Sequence, residues 1–418
     1  MNTKAVRLYG KNDLRLEQFE LPPIRDDEIL ARVISDSICM SSYKATKQGA
    51  EHKRVPDNVA QNPVIIGHEF CGELLQVGAK WADRYAPGDK YVIQPALNYK
   101  GSLDAPGYSY AYIGGDATVV IIPNEVMLMD CLLPYTGDAM FKGSLTEPYS
   151  CVVGAFNASY HTKRGTYVHD MGIRDGGKMA ILAGAGPMGL AAIDYAVHGP
   201  RKPELLVVTD INAARLQRAA SILTVEEAAQ NGVTLRYENT WNIDATDLLL
   251  RITPEGYDDV FVLAPNTSLV GSADRILAND GCINFFAGPT DPSFSAQFNF
   301  YNVHYAGTHV VGTSGGNADD MQKALKLISD GSLHPAALVT HIGGLDCVIE
   351  TTRHLPQVPG GKKLIYTGIS LPLTAIADFA EKGKTDPMFR ELHKICAEHN
   401  DLWCAEAEQY LLQAAKPI

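Results

Sequence analysis

The stretch KMAILAGAGPMGLAAIDYAVHG, which spans residues 178–199, decides the fold of this chain. It opens with an apolar run typical of a buried strand, passes through a turn containing Gly184, Gly186 and Gly189, and continues as an apolar helical pattern. In such a unit the glycines permit a tight turn, a close approach of the backbone to a pyrophosphate, and close packing of the helix on the strand. The free N–H groups at the start of the helix then bind the phosphates. The stretch therefore predicts a dinucleotide-binding unit.

The acidic residue that ends the next apolar run, ELLVVTD, is Asp210. A carboxylate at this place accepts a hydrogen bond from the ribose 2′-hydroxyl group and repels a 2′-phosphate, so NAD(H) is the favoured cofactor. Arg215, in the helix that follows, would reduce this repulsion and leaves NADP(H) as the alternative. The residues predicted to bind the cofactor are Gly184, Gly186, Pro187, Met188, Gly189, Asp210 and Arg215.

Strand and helix patterns alternate from about Lys178 onward, and this alternation is typical of a parallel, doubly wound sheet. The N-terminal third of the chain instead has short strand patterns separated by turns rich in proline, glycine and aspartate. Strand patterns of the same kind return after Ser332. The sequence thus predicts an α/β fold, in which a β-rich domain (1–155 and 332–418) is interrupted by a Rossmann domain (156–331).

The composition excludes several classes of protein. The chain has 418 residues, of which 46% are hydrophobic and 20% are charged, values ordinary for a globular protein of two or three domains. Its net charge of −12, from 36 basic and 48 acidic residues, argues against binding to nucleic acid or to an anionic membrane. No segment has the pattern of a signal peptide or the length of a membrane span. The 8 cysteines are scattered, unlike a disulfide framework, which predicts a reduced, cytoplasmic protein.

Three segments of the β-rich part supply residue types that bind metals. They contain Cys39 in SDSICMSSYK, the pair His68 and Glu69 in VIIGHEFCGE, and Glu147 in SLTEPYSC. One thiolate, one imidazole and one or two carboxylates can form a tetrahedral zinc site with an exchangeable position. Each residue alone also has a structural interpretation: a cysteine in the core, a turn at Gly-His-Glu, or a Glu-Pro pair before a helix. The combination favours a catalytic metal.

In the order of its motifs, the chain resembles the medium-chain, zinc-dependent alcohol and polyol dehydrogenases over almost its whole length. The motifs that carry the resemblance are Cys39 after a strand, GHEFCGELLQVG, PGDKYV, the Gly-Gly-x-Ala strand at 114–122, Glu147-Pro148, the glycine-rich turn and GKKLIYTG. The resemblance implies a GroES-like catalytic domain beside the Rossmann domain. It also implies zinc ligands at Cys39, His68 and Glu147, with Glu69 entering the shell intermittently. Cys151 is a rival third ligand, because one branch of the family uses a cysteine nearby.

The same resemblance implies how the reaction proceeds. Zinc acts as a Lewis acid on a carbonyl oxygen, and hydride passes between the substrate carbon and the nicotinamide. Ser41, two residues after Cys39, takes the place of a hydroxyl group that relays the proton, and Glu69 is the second candidate catalytic residue. Lys362 or Lys363, which follow two glycines, is expected to reach the cofactor phosphates, while a surface position suits one of them equally well.

Two departures from the family pattern concern the metal. Many members hold a second, structural zinc ion with four closely spaced cysteines, whereas residues 93–115 contain no cysteine here. One catalytic zinc ion per chain and no structural zinc ion are therefore expected. Members of the family also carry an aspartate three residues after the ligand cysteine. Here that position is Ser42, so the carboxylate that orients the ligands is missing or replaced.

A short basic run predicts the kind of substrate. Residues 44–54, KATKQGAEHKR, hold four basic residues and one acid, a formal charge of +3 in a chain of −12. The five are Lys44, Lys47, Lys53 and Arg54 against Glu51. A cationic rim this close to Cys39 suits a phosphorylated substrate, and a solvated charged loop is the alternative interpretation. Blocks such as EPYSCVVGAFNASYH and VHYAGTHVVGTSGGNADDM resemble the branch of the family that interconverts L-sorbose 1-phosphate and D-glucitol 6-phosphate.

Other functions are open as alternatives. The first is a dehydrogenase of another polyol, polyol phosphate or secondary alcohol; the second is a zinc-free relative of the quinone reductases. The third is a nucleotide-binding regulatory protein without catalysis. The joint presence of Cys39, His68 and Glu147 disfavours the last two. The family resemblance further implies a homo-oligomer, either a dimer or a tetramer. The tail, roughly residues 375–418, has two amphipathic helical patterns to which the sequence assigns no function.

Overall fold

The chain folds into two compact units in the computed structural model, which describes residues 1–163 and 165–418. The first unit comprises 1–147, 317–329 and 338–418, and the second unit comprises 148–316 and 330–337. The sequence prediction instead placed the boundaries after residues 155 and 331 and assigned 317–329 to the Rossmann domain. Each unit has its own sheets and its own hydrophobic core.

The strands are numbered in the order in which they occur along the chain. They are β1 (Asn2–Gly10), β2 (Asp13–Glu20), β3 (Ile29–Ile38), β4 (Val64–Ile65), β5 (Cys71–Val77), β6 (Lys90–Ile93), β7 (Val119–Ile122), β8 (Leu132–Pro134), β9 (Tyr160–Thr162), β10 (His169–Met171), β11 (Lys178–Leu182), β12 (Leu205–Asp210), β13 (Thr234–Asn239), β14 (Tyr257–Val262), β15 (Leu277–Phe285), β16 (His309–Val311), β17 (Val339–Gly344), β18 (Lys362–Tyr366), β19 (Ile369–Ser370), β20 (Thr374–Ala375) and β21 (Lys416–Pro417).

The α-helices are numbered in the same way. They are α1 (Met40–Gln48), α2 (Asn124–Leu128), α3 (Met140–Ser144), α4 (Thr146–Ala158), α5 (Pro187–His198), α6 (Ala213–Ile222), α7 (Val225–Gln230), α8 (Ala245–Ile252), α9 (Thr267–Arg275), α10 (Phe300–Tyr305), α11 (Ala318–Ser329), α12 (Val348–His354), α13 (Phe379–Lys382), α14 (Pro387–Glu398) and α15 (Ala405–Ala414).

The first unit is built around a mixed sheet with β3 in its interior. The strands lie in the order β20-β17-β18-β3-β5-β6-β8, and β7 also pairs with β3. The strands β17 and β18 are parallel, whereas β3 is antiparallel to β18, β5 and β7. The side chains of β3, ILARVISDSI, are buried along almost its whole length, and other strands pair with it on both edges. The β-rich domain that the sequence predicts is therefore confirmed.

The second unit contains a six-stranded sheet in which all neighbouring strands are parallel. The order is β13-β12-β11-β14-β15-β16, which in chain order is 3-2-1-4-5-6, the order of the doubly wound dinucleotide-binding fold. The apolar residues of β11 and β12 are buried except for Leu205, which is partly exposed, as expected for strands covered on both faces. The strand order reverses at β11, and the glycine-rich turn begins at its carboxyl end. The predicted Rossmann fold is confirmed.

The C-terminal tail is a folded part of the first unit. Glu408 of α15 is buried, and its carboxylate accepts hydrogen bonds from the Phe141 N–H at the start of α3 and from the Tyr366 hydroxyl group, both at 2.8 Å. Trp403 donates its indole N–H to the same hydroxyl oxygen at 2.7 Å. These contacts fasten the tail to β18 and to the helix that precedes Glu147 in the chain.

The cysteines of the described residues are all free thiols. Five of the eight are buried, and Cys39, Cys151 and Cys347 are partly exposed. In the same part of the chain, no helix combines the length and the apolar character that crossing a membrane requires.

Candidate active site

The site forms where the end of β3 meets the start of β5. Cys39 directly follows β3, and His68 and Glu69 lie just before β5. Because β3 and β5 are antiparallel, with Ser35 opposite Cys71, the segment after β3 and the segment before β5 lie at the same end of the two strands. The ligand atoms of Cys39, His68 and Glu69 lie within 4.8 Å of one another. The fold thus brings three of the four predicted metal ligands together.

Glu147, the fourth predicted ligand, lies in the first turn of α4 and is only 6% exposed. Among the residues that the structure describes, it falls outside the group within 4.8 Å, as does its rival Cys151. Burial raises the pKa of the Glu147 carboxyl group to about 7, an effect that His68 opposes and that Glu69 and Cys39 increase. Glu147 therefore interacts electrostatically with all three grouped residues, and its place in a metal shell stays a prediction.

The donor set of this group fits a zinc ion. Sulfur, imidazole nitrogen and carboxylate oxygen are ordinary zinc ligands, and both His68 and Glu69 are buried. Burial raises the pKa of the Cys39 thiol, and the negative charge of Glu69 raises it further. Burial also lowers the pKa of His68, which keeps the imidazole in the neutral form that binds metals. The thiol needs a cation beside it to become the thiolate that serves as ligand.

Glu69 forms a buried ion pair with Lys362 of β18. The two side chains are 1% and 4% exposed, and the Lys362 Nζ contacts both carboxylate oxygens, with 2.6 Å to Oε2. Ser37 donates its hydroxyl proton to the same carboxylate. Burial alone would raise the pKa of Glu69, but the charge of Lys362 reverses the effect, so the pKa is lowered. Glu69 is therefore a carboxylate that is already neutralised by a lysine.

This ion pair bears on the expectation for the two lysines of β18. Lys362 contacts Glu69, and the Lys363 Nζ donates hydrogen bonds to the backbone carbonyls of Pro359 (3.0 Å) and Gly361 (2.6 Å). Both lysines are buried, so neither occupies the surface position that the sequence left open.

Two serines after Cys39 contact the grouped residues. The Ser41 Oγ lies 3.3 Å from the Cys39 Sγ, which is the neighbourhood expected of a hydroxyl relay. The Ser42 Oγ lies 3.3 Å from the Nδ1 of His68. Ser42 therefore orients the imidazole of His68 through Nδ1, and it stands at the position where the family pattern has an aspartate. The Nε2 of His68 is left for another partner.

Tyr108 is a site residue that the sequence analysis missed. Its hydroxyl group lies 3.1 Å from the Nε2 of His68, and the side chain is buried. The ring of His52 stacks on the Tyr108 ring with 5.7 Å between the centroids. The only available signal was that the cysteine-free segment contains several tyrosines, and no spacing relates one of them to His68. The rings of Tyr108 and His52 therefore form an aromatic wall beside the metal-binding group.

The basic run lies against this aromatic wall. Arg54 places its guanidinium carbon 5.8 Å from the centre of the Tyr108 ring. Burial, together with the charges of Arg54, Lys53 and Lys44, lowers the pKa of His52 to about 4. Burial also lowers the pKa of Lys44, and Cys39 is among the groups that act on this lysine. Lys44 and Arg54 are thus half-buried and act electrostatically on Cys39 and His68, whereas Lys47 and Lys53 of the same run are exposed.

The predicted cofactor residues surround the carboxyl ends of β11 and β12. Helix α5 begins at Pro187, with Gly186 as its N-cap, and a Cβ atom on Gly189 would lie 1.9 Å from the Gly184 carbonyl oxygen. Asp210 is nearly buried, and its carboxylate accepts a hydrogen bond from the Ala185 N–H at 3.1 Å.

These positions leave a glycine-lined turn with an acidic residue at its end. Met188 follows Pro187 in the first turn of α5, and Arg215 lies in the first turn of α6. The arrangement has the features of a pyrophosphate-binding turn, and cofactor contacts of the individual residues stay predictions.

Known proteins with similar sequences cover nearly the whole chain. L-sorbose 1-phosphate reductase of Klebsiella pneumoniae is 54% identical over 416 residues, which are 100% of this chain and 98% of that protein. Mannitol-1-phosphate 5-dehydrogenase of Aliivibrio fischeri is 48% identical over 413 residues, 98% of this chain and 97% of that protein. The solved structure of 2R,3R-butanediol dehydrogenase from Bacillus subtilis is 22% identical with a TM-score of 0.69, covering 87% of this chain and 99% of that one. This last similarity concerns the fold.

Two domain matches, together with these relatives, show to which family the chain belongs. Residues 25–131 match the alcohol dehydrogenase GroES-like domain, and residues 187–330 match the zinc-binding dehydrogenase family. The chain belongs to the family of zinc-dependent medium-chain dehydrogenases. It is an oxidoreductase, and the alternative of a nucleotide-binding protein without catalysis is rejected.

Proposed function

We propose that this enzyme reduces the keto group of L-sorbose 1-phosphate to give D-glucitol 6-phosphate, reversibly, with a nicotinamide cofactor and a zinc ion in the first unit. The observation that carries the proposal is the position of the half-buried Lys44 and Arg54, which act electrostatically on Cys39 and His68. A phosphate ester needs cationic partners, and a carbonyl group needs an electrophile next to it. The 54% identity with a reductase of this substrate supports the same assignment.

In this proposal Cys39, His68 and Glu147 hold the metal, and Glu69 enters the shell only when its ion pair with Lys362 opens. When bound, the zinc ion polarises the carbonyl group of the substrate and the nicotinamide supplies the hydride. The Ser41 hydroxyl group, 3.3 Å from the Cys39 Sγ, would relay a proton from solvent to the substrate oxygen, receiving one proton as it donates another. Ser42 holds the imidazole of His68 in place from Nδ1. Nε2 would then be the ligand atom, and the Tyr108 hydroxyl group, 3.1 Å from Nε2, would give up this contact to the metal.

For the cofactor we propose NAD(H). The carboxylate of Asp210 ends β12 beside the glycine-rich turn, where it would accept a hydrogen bond from the ribose and repel a 2′-phosphate. Arg215, in the first turn of the next helix, keeps NADP(H) as the alternative.

The experiment that tests the function is oxidation of NADH, followed by absorbance, with L-sorbose 1-phosphate, fructose 1-phosphate, fructose 6-phosphate and the free sugars. The highest kcat/KM is expected for L-sorbose 1-phosphate, and parallel assays with NADPH decide the cofactor. Activity confined to unphosphorylated sugars would contradict the proposed phosphate-binding role of the basic run.

A second candidate substrate is mannitol 1-phosphate, because the chain is 48% identical to a mannitol-1-phosphate 5-dehydrogenase over 98% of its length. Assays in the oxidative direction, with NAD⁺ and either mannitol 1-phosphate or D-glucitol 6-phosphate, separate the two candidates. A higher kcat/KM with mannitol 1-phosphate would favour this second candidate.

Replacing Arg54 by alanine is expected to raise the KM for the sugar phosphate about 10- to 100-fold, the range that corresponds to one lost hydrogen bond between charged groups. The kcat should change much less, because the phosphate group is remote from the reacting carbonyl. Initial rates at varied substrate concentration give both constants.

The matched control for this substitution is Lys47→Ala, since Lys47 belongs to the same basic run but is exposed and contacts the ring of Tyr43. It should leave the KM nearly unchanged. An equal rise in the KM of Arg54→Ala for phosphorylated and free sugars would show that Arg54 does not recognise the phosphate.

We further propose a homo-oligomer. The terminal strand β16 of the parallel sheet and the adjacent α10 expose Phe300, Tyr301, Tyr305 and Val310, which are 48–76% accessible in this single chain. Such an apolar surface at a sheet edge favours self-association. Light scattering should give a mass of two or four times 45.3 kDa, and the mass of one chain would contradict the proposal. The cytoplasmic location stays a prediction.

A further inference from the structure

Two buried carboxyl groups lie beside the candidate active site without belonging to it. Asp36, in β3, and Asp116, which follows Gly114 and Gly115, are 0% and 1% exposed. Among the residues that the structure describes, the Oδ2 of Asp36 and the Oδ1 of Asp116 have no hydrogen-bond partner. Aspartate is rarely buried to this extent unless it is paired. The mechanism of the proposed function uses neither group.

The two carboxyl groups interact with each other in a space that glycines leave open. A Cβ atom on Gly67 would lie 2.6 Å from the Oδ2 of Asp36 and 2.9 Å from the Oδ2 of Asp116, and one on Gly115 would overlap the Asp36 carboxyl group. Burial raises the pKa of Asp116 to about 7 and the pKa of Asp36 well above its usual range, and a hydrogen bond joins the two groups. Such a bond requires that one carboxyl group is protonated, so the pair carries at most one negative charge.

The Asp36 carboxyl group reaches the metal-binding residues through the backbone. Its Oδ1 accepts a hydrogen bond from the Glu69 N–H at 3.0 Å. A backbone N–H of β3 donates to the Glu69 carbonyl group at 3.2 Å, so this residue is held at both of its backbone polar groups. On the other side of the segment, the Gly115 N–H donates to the Gly67 carbonyl group at 2.6 Å. His68 therefore lies between two residues whose backbones are anchored.

The segment between β4 and β5 has an irregular backbone. Gly67 has a φ of +88°, in the left-handed region that favours glycine, and residues 66–70 lie outside the strands. The Glu69 N–H therefore has no place in a strand ladder, and a buried N–H without an acceptor costs about 1–3 kcal/mol. The Asp36 carboxyl group supplies the acceptor, and its hydrogen bond with Asp116 fixes the orientation of that group.

We propose that Asp36, supported by Asp116, is a positioning residue that holds the segment 67–69 in the geometry that binds the metal. This role rests on the zinc site of the proposed function and goes beyond it, because neither aspartate is a proposed ligand. The family pattern has an orienting aspartate at the position of Ser42, where this chain has no carboxyl group. Asp36 supplies one from β3, and it acts on the backbone of the segment and not on the imidazole ring.

The test compares two substitutions of Asp36 that differ in hydrogen bonding. Asp36→Asn retains an oxygen for the Glu69 N–H and gains an N–H group that donates to Asp116, so its zinc affinity should stay close to that of wild type. Asp36→Ala loses both hydrogen bonds and is expected to weaken zinc binding about 10- to 100-fold, measured by competition with a chromophoric chelator. Should Asp36→Ala fail to fold, its combination with Asp116→Ala serves instead, because that variant leaves no unpaired buried carboxyl group.

Hydrogen exchange gives a second readout that needs no metal. In zinc-free protein, the backbone amide of Glu69 should exchange about 10-fold faster or more in Asp36→Ala than in wild type, because it loses its hydrogen bond to a buried carboxyl group. Asp36→Asn should keep the slow exchange. If wild-type protein bound no zinc, the proposed function would fail, and the exchange at Glu69 would still decide whether Asp36 holds this segment.

The matched control is Asp274→Ala. Asp274 is a buried aspartate of the second unit, whose Oδ2 accepts a hydrogen bond from the Asn299 N–H at 2.9 Å and whose Oδ1 has no partner in the described part of the chain. Its substitution should leave the zinc affinity and the exchange at Glu69 unchanged. Either of two results would overturn the proposal: the same loss of zinc affinity in Asp36→Asn as in Asp36→Ala, or wild-type affinity and exchange in Asp36→Ala.

Discussion

Replacing Cys39 by serine is expected to lower kcat by about 10³-fold or more, since Lewis-acid stabilisation by a bound metal is worth several kcal/mol and each 1.36 kcal/mol is tenfold in rate. The physical reason is the ligand atom. A thiolate binds zinc, whereas a serine hydroxyl group stays protonated beside the carboxylate of Glu69 and is a poor ligand. The substitution removes one sulfur and hardly changes the volume, so the fold should persist.

The measurement combines initial rates of NADH oxidation with the zinc content of the first unit's site, obtained as the difference between wild type and variant. Cys347→Ser is the matched control, because Cys347 is another partly exposed thiol of the first unit and lies outside the metal-binding group. It should keep both zinc and activity. Full NADH-dependent activity of Cys39→Ser would reject zinc-assisted hydride transfer.

The parts of the fold that the sequence predicted are those encoded by local patterns. The glycine-rich turn, the start of α5 at Pro187 and the position of Asp210 at the end of β12 all follow from residues within about one strand–helix–strand unit. The grouping of Cys39, His68 and Glu69 was accessible in a different way, through resemblance to a family in which these motifs recur in order. The ligand atoms of these three residues lie within 4.8 Å of one another, and zinc binding by them is a proposal.

The parts that the sequence could not supply are contacts between distant residues. Lys362 lies 293 residues from its partner Glu69, and a buried lysine has no periodicity or spacing that names its carboxylate. Its neighbour Lys363 carries the same side chain and a different set of contacts. Tyr108 reaches His68 from a segment whose only pattern was the lack of cysteine. In each case the partner is chosen by packing in three dimensions and not by local chain preference.

The C-terminal tail is another case in which the sequence does not predict contacts between distant residues. Its amphipathic helices were visible in the sequence, but the capping of α3 by Glu408 joins residues 267 positions apart. A glutamate in a helical pattern is usually solvated. Only the folded chain shows that this one is buried against two backbone N–H groups and the Tyr366 hydroxyl group.

Replacing Lys362 by methionine is expected to destabilise the first unit by about 3–5 kcal/mol, the usual cost of leaving one charge of a buried pair without its partner. The Glu69 carboxylate is 1% exposed, and the Ser37 hydroxyl group alone does not balance its charge. The measurement is urea unfolding followed by tryptophan fluorescence, because Trp81 and Trp403 both lie in the first unit. The exposed pair of Lys384 and Glu381 serves as the control.

Two further variants complete that experiment. Lys384→Met should change the free energy of unfolding by less than about 1 kcal/mol, because a solvated ion pair contributes little. Combining Lys362→Met with Glu69→Gln should restore much of the lost stability, since removing both charges of a buried pair is far less costly than removing one. The metal adds a condition: zinc bound beside Glu69 would partly replace the lysine charge, so the loss should be larger in zinc-free protein. A loss below about 1 kcal/mol for Lys362→Met in zinc-free protein would show that Glu69 does not depend on this lysine for its charge.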